Sequence, residues 1–116
     1  MAYDEELAIR IRTALPRREG IAERKMFGGI AFMLRGNMFC GVVKDTLMVR
    51  VGRDEYESAL ARPHARPMDF AGRPMRGMVF VGPKGCCVDN DLQSWLERGL
   101  KFVDSLPDRR PSSHTL

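Results

Sequence analysis

Apolar and polar positions change period several times along this chain, and each change marks an element. Asp4-Glu5-Glu6 sets an N-cap and two acids where the positive end of a helix dipole lies. Leu7, Ile11 and Leu15 follow at four-residue spacing, with Ala8 and Ala14 widening the stripe, and Pro16 stops it. The spacing predicts a helix over residues 4–15. Beyond it the helical period is lost. Ile30 to Leu34 and Met38 to Val43 are apolar runs separated by Arg35-Gly36-Asn37, and after Lys44-Asp45 the residues Leu47, Val49 and Val51 alternate with Met48 and Arg50. These runs predict an antiparallel meander of three strands, with Arg24 to Phe27 leading into the first. Alternation in the third strand implies one buried face and one wet face.

Gly52-Arg53-Asp54 opens a short helix whose inner face carries Tyr56 and Leu60, and Pro63 ends it. Residues 64–76 are dense in Arg, Pro and Gly and read as irregular. Met78 to Val81 is a strand, with Met68-Asp69-Phe70 as its candidate partner across Ala71-Gly72-Arg73-Pro74. A last helix, capped by Asp89 or Asn90, places Leu92, Trp95, Leu96, Gly99, Val103 and Leu106 on one face. Trp95 and Phe102 are expected in the core. Of the methionines, Met75 and Met78 stand among arginines and are expected to be exposed. Pro107 to Leu116 is polar and aperiodic, and is expected to be disordered. The order is α-β-β-β-α-β-β-α, with strands grouped rather than alternating with helices. That grouping predicts an α+β fold, a two-layer sandwich with an antiparallel sheet, in one domain over 1–106 with a tail over 107–116.

Length and cysteine usage narrow the setting. A chain of 116 residues buries roughly 65% of the surface its unfolded form exposes, enough for a core without staples. Its three cysteines, Cys40, Cys86 and Cys87, are odd in number and two are adjacent, which does not suit a disulfide framework. The acidic opening Tyr3-Asp4-Glu5-Glu6 does not read as a leader peptide. The longest apolar runs fall far short of the ~20 residues a membrane span needs. A cytoplasmic protein with no membrane contact is expected.

Charge and chemistry point to binding rather than catalysis. The net charge is +4, and fifteen of the nineteen basic residues are arginine. Arg62, Arg66, Arg73, Arg76 and Lys84 face a single acid, Asp69, over residues 62–84. A second basic stretch, Arg17 to Arg35, holds Arg24 and Lys25. Arginine forks suit phosphate and carboxylate, so Arg66, Arg73, Arg76, Arg24 and Lys25 form a candidate binding surface. The plainer alternative is a solvated positive face. His64, in a loop beside Pro63, has no Ser, Cys or carboxylate at a familiar catalytic spacing, and His114 lies in the tail. Cys86-Cys87 lack the C-x₂₋₄-C spacing that lets two thiolates converge on one ion, so a metal site or an enzyme using His64 and the cysteines is the less favoured reading. Phe27-Gly28-Gly29 precedes a strand, not the helix N-terminus that a phosphate cradle needs. Met26, Phe27, Gly28 and Gly29 therefore read as structural, with the glycines permitting a bulge or tight bend. The chain is expected not to be an enzyme, and no cofactor is implied.

Lys25-Met26-Phe27-Gly28-Gly29, the strand pair around Gly36-Asn37-Met38, Leu47-Met48-Val49-Arg50-Val51, Arg66-Pro67-Met68-Asp69-Phe70, Gly72-Arg73-Pro74-Met75 and the Trp95 helix occur here in an order that resembles the TfoX (Sxy) N-terminal domain family. The resemblance spans about residues 3–106. It implies a secretion-chaperone-like fold, α-β(3)-α-β(2)-α. The best-known members regulate natural competence, acting with the cyclic-AMP receptor protein at certain promoters, and carry a second, C-terminal domain. The resemblance thus implies a stand-alone member that works in transcriptional regulation through a protein partner, as monomer or homodimer. Weak direct binding of nucleic acid, through residues 17–35 and 62–84, is the alternative.

Overall fold

The computed structural model describes residues 3–17, 19–26, 28–70 and 73–110. Asp4 caps the first helix, α1 (Glu5–Ala14), by accepting the Leu7 N–H at 3.1 Å. Four strands follow: β1 (Ile21–Met26), β2 (Gly29–Leu34), β3 (Asn37–Val43) and β4 (Thr46–Arg50). Then come α2 (Tyr56–Leu60), β5 (Ala65–Phe70), β6 (Arg73–Val81), a 3₁₀ turn at Pro83–Gly85 and α3 (Asp89–Asp104). All six strands pair antiparallel in one open sheet of order β1-β2-β3-β4-β6-β5. The fold is α+β, as expected, with one strand more before α2 than the expected three.

That extra strand is β1. Only Arg24 to Phe27 was expected to lead into the sheet, and the run Glu23-Arg24-Lys25 gives no alternation that would mark a strand. It lies at the sheet margin with its middle exposed, so backbone pairing with β2 holds it and its side chains need not be apolar. Arg12 of α1 adds a forked ion pair to Glu23, with nitrogen–oxygen distances of 2.6 and 2.8 Å. The expected irregular stretch also proves to be mostly strand. Pro67 sits in β5, the opposite margin of the sheet, where a missing N–H costs no ladder bond. In β6 the chain bulges at Gly77, whose φ of 95° suits glycine.

Two smaller expectations also change. The residue before α3 is Val88, which makes no side-chain cap; the Asp89 carboxylate instead takes a hydrogen bond from Arg10 at 3.0 Å. Residues 107–110 are tied to the β2–β3 turn. The Pro107 carbonyl accepts from Asn37 Nδ2 at 2.9 Å, and the Arg109 N–H donates to the Arg35 carbonyl at 2.8 Å. The rest of the expected tail, 111–116, lies outside the described residues.

Register sorts side chains into two faces, since residues directly opposite share one. One row across all six strands reads Lys25, Ile30, Val42, Leu47, Val81 and Ala65. Its apolar members join Leu7 and Ile11 of α1, Tyr56 of α2, and Leu92, Trp95, Leu96 and Val103 of α3 in one buried cluster. The next row reads Arg24, Ala31, Gly41, Met48, Phe80 and Arg66. Met48, Phe80 and their neighbours Met38, Val43, Met68 and Met78 form a second cluster made of strand residues alone.

On the helix side, α3 approaches β3 closely because Gly99 has no side chain. A Cβ there would lie 2.5 Å from the Phe39 carbonyl oxygen. In an exposed helix interior Gly→Ala stabilises by up to about 1 kcal/mol. Here Gly99→Ala is expected to destabilise by roughly 1–3 kcal/mol through overpacking. Urea unfolding checks the sign, and an unchanged or raised midpoint would show that α3 can slide off β3 without loss.

Candidate functional site

At the end of β4 the chain turns through Gly52, at a φ of 85°. The carbonyl of Gly77, in the β6 bulge, accepts the N–H groups of Val51 at 2.8 Å and Gly52 at 3.1 Å. This backbone junction fixes Arg53 and Arg76, each adjacent to one of the two glycines, on one wall of an open cleft of about 910 Å³. The opposite wall is α3, where Ser94, Glu97, Arg98 and Lys101 recur at helical spacing, continued by Ser105 at its C-cap. Phe102 packs so tightly on Gly52 that any Cβ at that position would overlap its ring. Phe102 was expected in the core; it is half-buried and lines the cleft, while Trp95 alone is fully buried.

Five cations line this cleft (Arg50, Arg53, Arg76, Arg98 and Lys101) against three acids, Asp54, Glu55 and Glu97. Arg98 is engaged: it lies 3.8 Å from Glu55, donates to Ser58 at 3.4 Å and stands over the Trp95 ring at 5.5 Å. Glu97 accepts from Gln93 at 3.3 Å. Arg50 lies over the Phe102 ring at 5.2 Å. Partial burial, and then the nearby charge of Arg109, pull its pKa below the usual guanidinium value.

The surface expected from the sequence is divided among separate places. Arg76 is in the cleft. Arg24 and Arg66 stand at the two ends of the same cross-sheet row on the helix-free face, five strand spacings or roughly 24 Å apart. Arg66 covers the Phe80 ring at 5.1 Å. Lys25, adjacent to Arg24 in an extended strand, is on the opposite face. Arg73 belongs to β6, but its side chain lies outside what is described, as does Phe27. Arg50, Arg53, Arg98 and Lys101 were not singled out from the sequence. The polar stripe 94-97-98-101 on α3 was the available signal; the glycine junction opposite it brings together residues far apart in the chain.

Between Arg24 and Arg66, half-buried Met38, Val43 and Phe80 surround buried Met48, Met68 and Met78. Met33 pairs with Met38 across β2 and β3 and is half-buried too. Met75 is exposed as expected, but Met78 is buried in this cluster. The terminal methyl of Met48 occupies the space where Gly41 would carry a Cβ. Met26 and Gly29 close the β1–β2 hairpin as a pair. Gly28 has a φ of 74°, and a Cβ on Gly29 would strike the Val42 carbonyl. Gly28 therefore serves the tight hairpin turn entering β2, and Gly29 a close approach to β3 that a side chain would block.

His64 is exposed at the turn before β5, with a φ of 67°, and its carbonyl accepts the Gly82 N–H at 3.0 Å. Cys40 and Cys86 are buried and Cys87 is exposed. Among the described residues, no three His, Cys, Asp or Glu side chains gather where they could hold a metal ion. Burial pushes the Cys40 thiol pKa up, and desolvation raises that of Cys86 to about 11. No helix among the described residues is long and apolar enough to cross a membrane.

A six-stranded open antiparallel sheet, with helices packed into the core on one face and strands alone forming the cluster on the other, defines a small α+β domain whose distinctive surfaces are a basic cleft and a methionine-lined sheet face. Residues 13–103, well over half of the chain, match the TfoX N-terminal domain, and the chain belongs to that family. Searches of curated proteins and of solved structures return no significant match.

Burial separates the thiols by reactivity. In the native protein near neutral pH, iodoacetamide is expected to modify Cys87 rapidly and leave Cys40 and Cys86 intact, with all three reacting once the chain is unfolded. Peptide mass mapping checks this. Equal labelling of Cys86 and Cys87 in the folded state would contradict the burial described.

Proposed function

We propose that this protein is a non-enzymatic, cytoplasmic regulatory adaptor that acts in transcriptional regulation by contacting another protein through the helix-free face of its sheet. The observation that carries this reading is the cross-sheet row from Arg24 to Arg66. Between its two cationic ends, half-buried Met33, Met38, Val43 and Phe80 lie over buried Met48, Met68 and Met78 as an apolar centre. Methionine side chains are unbranched and re-pack against varied shapes, which suits a recognition surface. Arginines at the margins favour a partner whose apolar patch has an acidic rim, because complementary potentials steer encounter and fix register. Membership of the TfoX N-terminal domain family agrees with a regulatory role. Direct DNA contact is less well supported, since the basic residues first grouped by sequence stand on separate surfaces rather than along one stripe.

A photo-crosslinking amino acid placed at Met33 or Met38 in cells is expected to yield a defined protein adduct. The same group at Glu57, exposed on α2, is expected to yield none. Met38→Glu should weaken capture of that partner by about tenfold or more, a typical cost for a charge buried at an interface centre, while thermal melting verifies that the variant stays folded. Adducts no more abundant at 33 and 38 than at 57 would reject the reading.

A further inference from the structure

Cations that outnumber the acids around them raise the energy of a fold, unless an anion joins them. In the cleft between α3, the Gly52 turn and the β6 bulge, Arg53, Arg76 and Lys101 are exposed, and none has an ion-pair partner among the described residues. Arg50 is less comfortable still. It is partly withdrawn from water, pinned over the Phe102 ring, lies near Arg109, and likewise has no acid paired to it. These four come from β4, the following turn, β6 and α3, so the convergence is a product of the fold and not of one charged run.

We propose that this cleft is a binding site for a small phosphorylated molecule. The cleft volume of about 910 Å³ falls in the range of about 300–1,000 Å³ that small-molecule sites occupy. Arginine forks match phosphate oxygens two at a time, and three of the four unpaired cations are arginines. The walls are set before any ligand arrives. The Gly77 carbonyl clamps the β4 end through two N–H groups, and Phe102 is wedged against Gly52. Binding would thus order the exposed cationic side chains but no loop, which limits its entropic cost. The Asp54 carboxylate, also without an ion-pair partner, stands among the lining residues. It can accept from a hydroxyl, which suits a sugar phosphate or nucleotide over a bare anion. The cleft borders the methionine-lined face at Met78, which belongs to both, but the exposed cations Arg53, Arg76 and Lys101 are not part of that cluster, and the proposal does not rest on how that face is used.

An amide-resolved NMR titration of the whole chain with inorganic pyrophosphate, and separately with ADP, tests this at an ionic strength of about 0.15 M. Saturable shifts at residues 50–54, 76–78 and 97–102 are expected, with a Kd of about 1 mM or tighter for at least one probe. Replacing Arg53→Gln together with Arg76→Gln should weaken binding about tenfold or more, a fair loss for two charge-assisted contacts. Arg24→Gln with Lys25→Gln should leave it unchanged. These side chains are exposed, and melting curves verify that both double variants fold. Linear, non-saturating shifts with both probes would overturn the proposal, as would equal losses from the two double variants. So would cleft shifts from adenosine as strong as those from ADP. A short DNA duplex or an oligoglutamate peptide that shifts the same amides at lower concentration than either probe would assign the cleft to a macromolecule, and would equally overturn it.

Discussion

Everything on the helix side of the sheet depends on how near α3 can come to β3. Gly99 sets that distance, because the Phe39 carbonyl occupies the space a side chain would need. With the helix at this depth, Leu92, Trp95, Leu96 and Val103 reach the cross-strand row of Ile30, Val42, Leu47 and Val81. Trp95, the largest fully buried side chain, is then covered by the Arg62 and Arg98 guanidinium groups, which stand 5.9 and 5.5 Å from the centre of its ring. The same depth carries Phe102 onto Gly52. One close approach thus settles both the core and one wall of the cleft.

The parts of this architecture that could be read from the sequence are those in which burial on one side imposes a period. α1, α3, β2, β3 and β4 all announce themselves by apolar spacing, and the grouping of strands is enough for an α+β fold with an antiparallel sheet. The margins of the sheet were harder. β1 and the outer half of the β5–β6 hairpin are held by backbone pairing, which leaves no apolar period, and their Arg, Lys, Pro and Gly content resembles that of a loop. Capping was misjudged at Asp89 because a side chain with two possible partners, its own helix and Arg10, goes to the more distant one.

The candidate site was only partly legible, for a related reason. Arg76 could be picked out by its basic neighbours, but the residues it joins are remote in the chain and meet through the Gly77 carbonyl. Composition could not separate Arg24 from Lys25, although extended geometry sends them to opposite faces. Conversely, Arg24 and Arg66, which belong to different basic stretches, occupy one cross-sheet row. Charge density along the sequence thus overstated how far these groups act together, while helical spacing on α3 held the better clue.

The two margins of the sheet bear on how the molecule can be approached by other chains. A newcomer that tried to extend the sheet alongside β5 would find no donor at Pro67. Alongside β1 it would have to accommodate Glu23, Arg24 and Lys25 in succession. Such margins discourage the side-by-side annealing by which strands recruit one another into ribbons. Both margins therefore resist widening of the sheet, and what the molecule leaves open to a visitor is its faces, where side chains rather than peptide groups are on display.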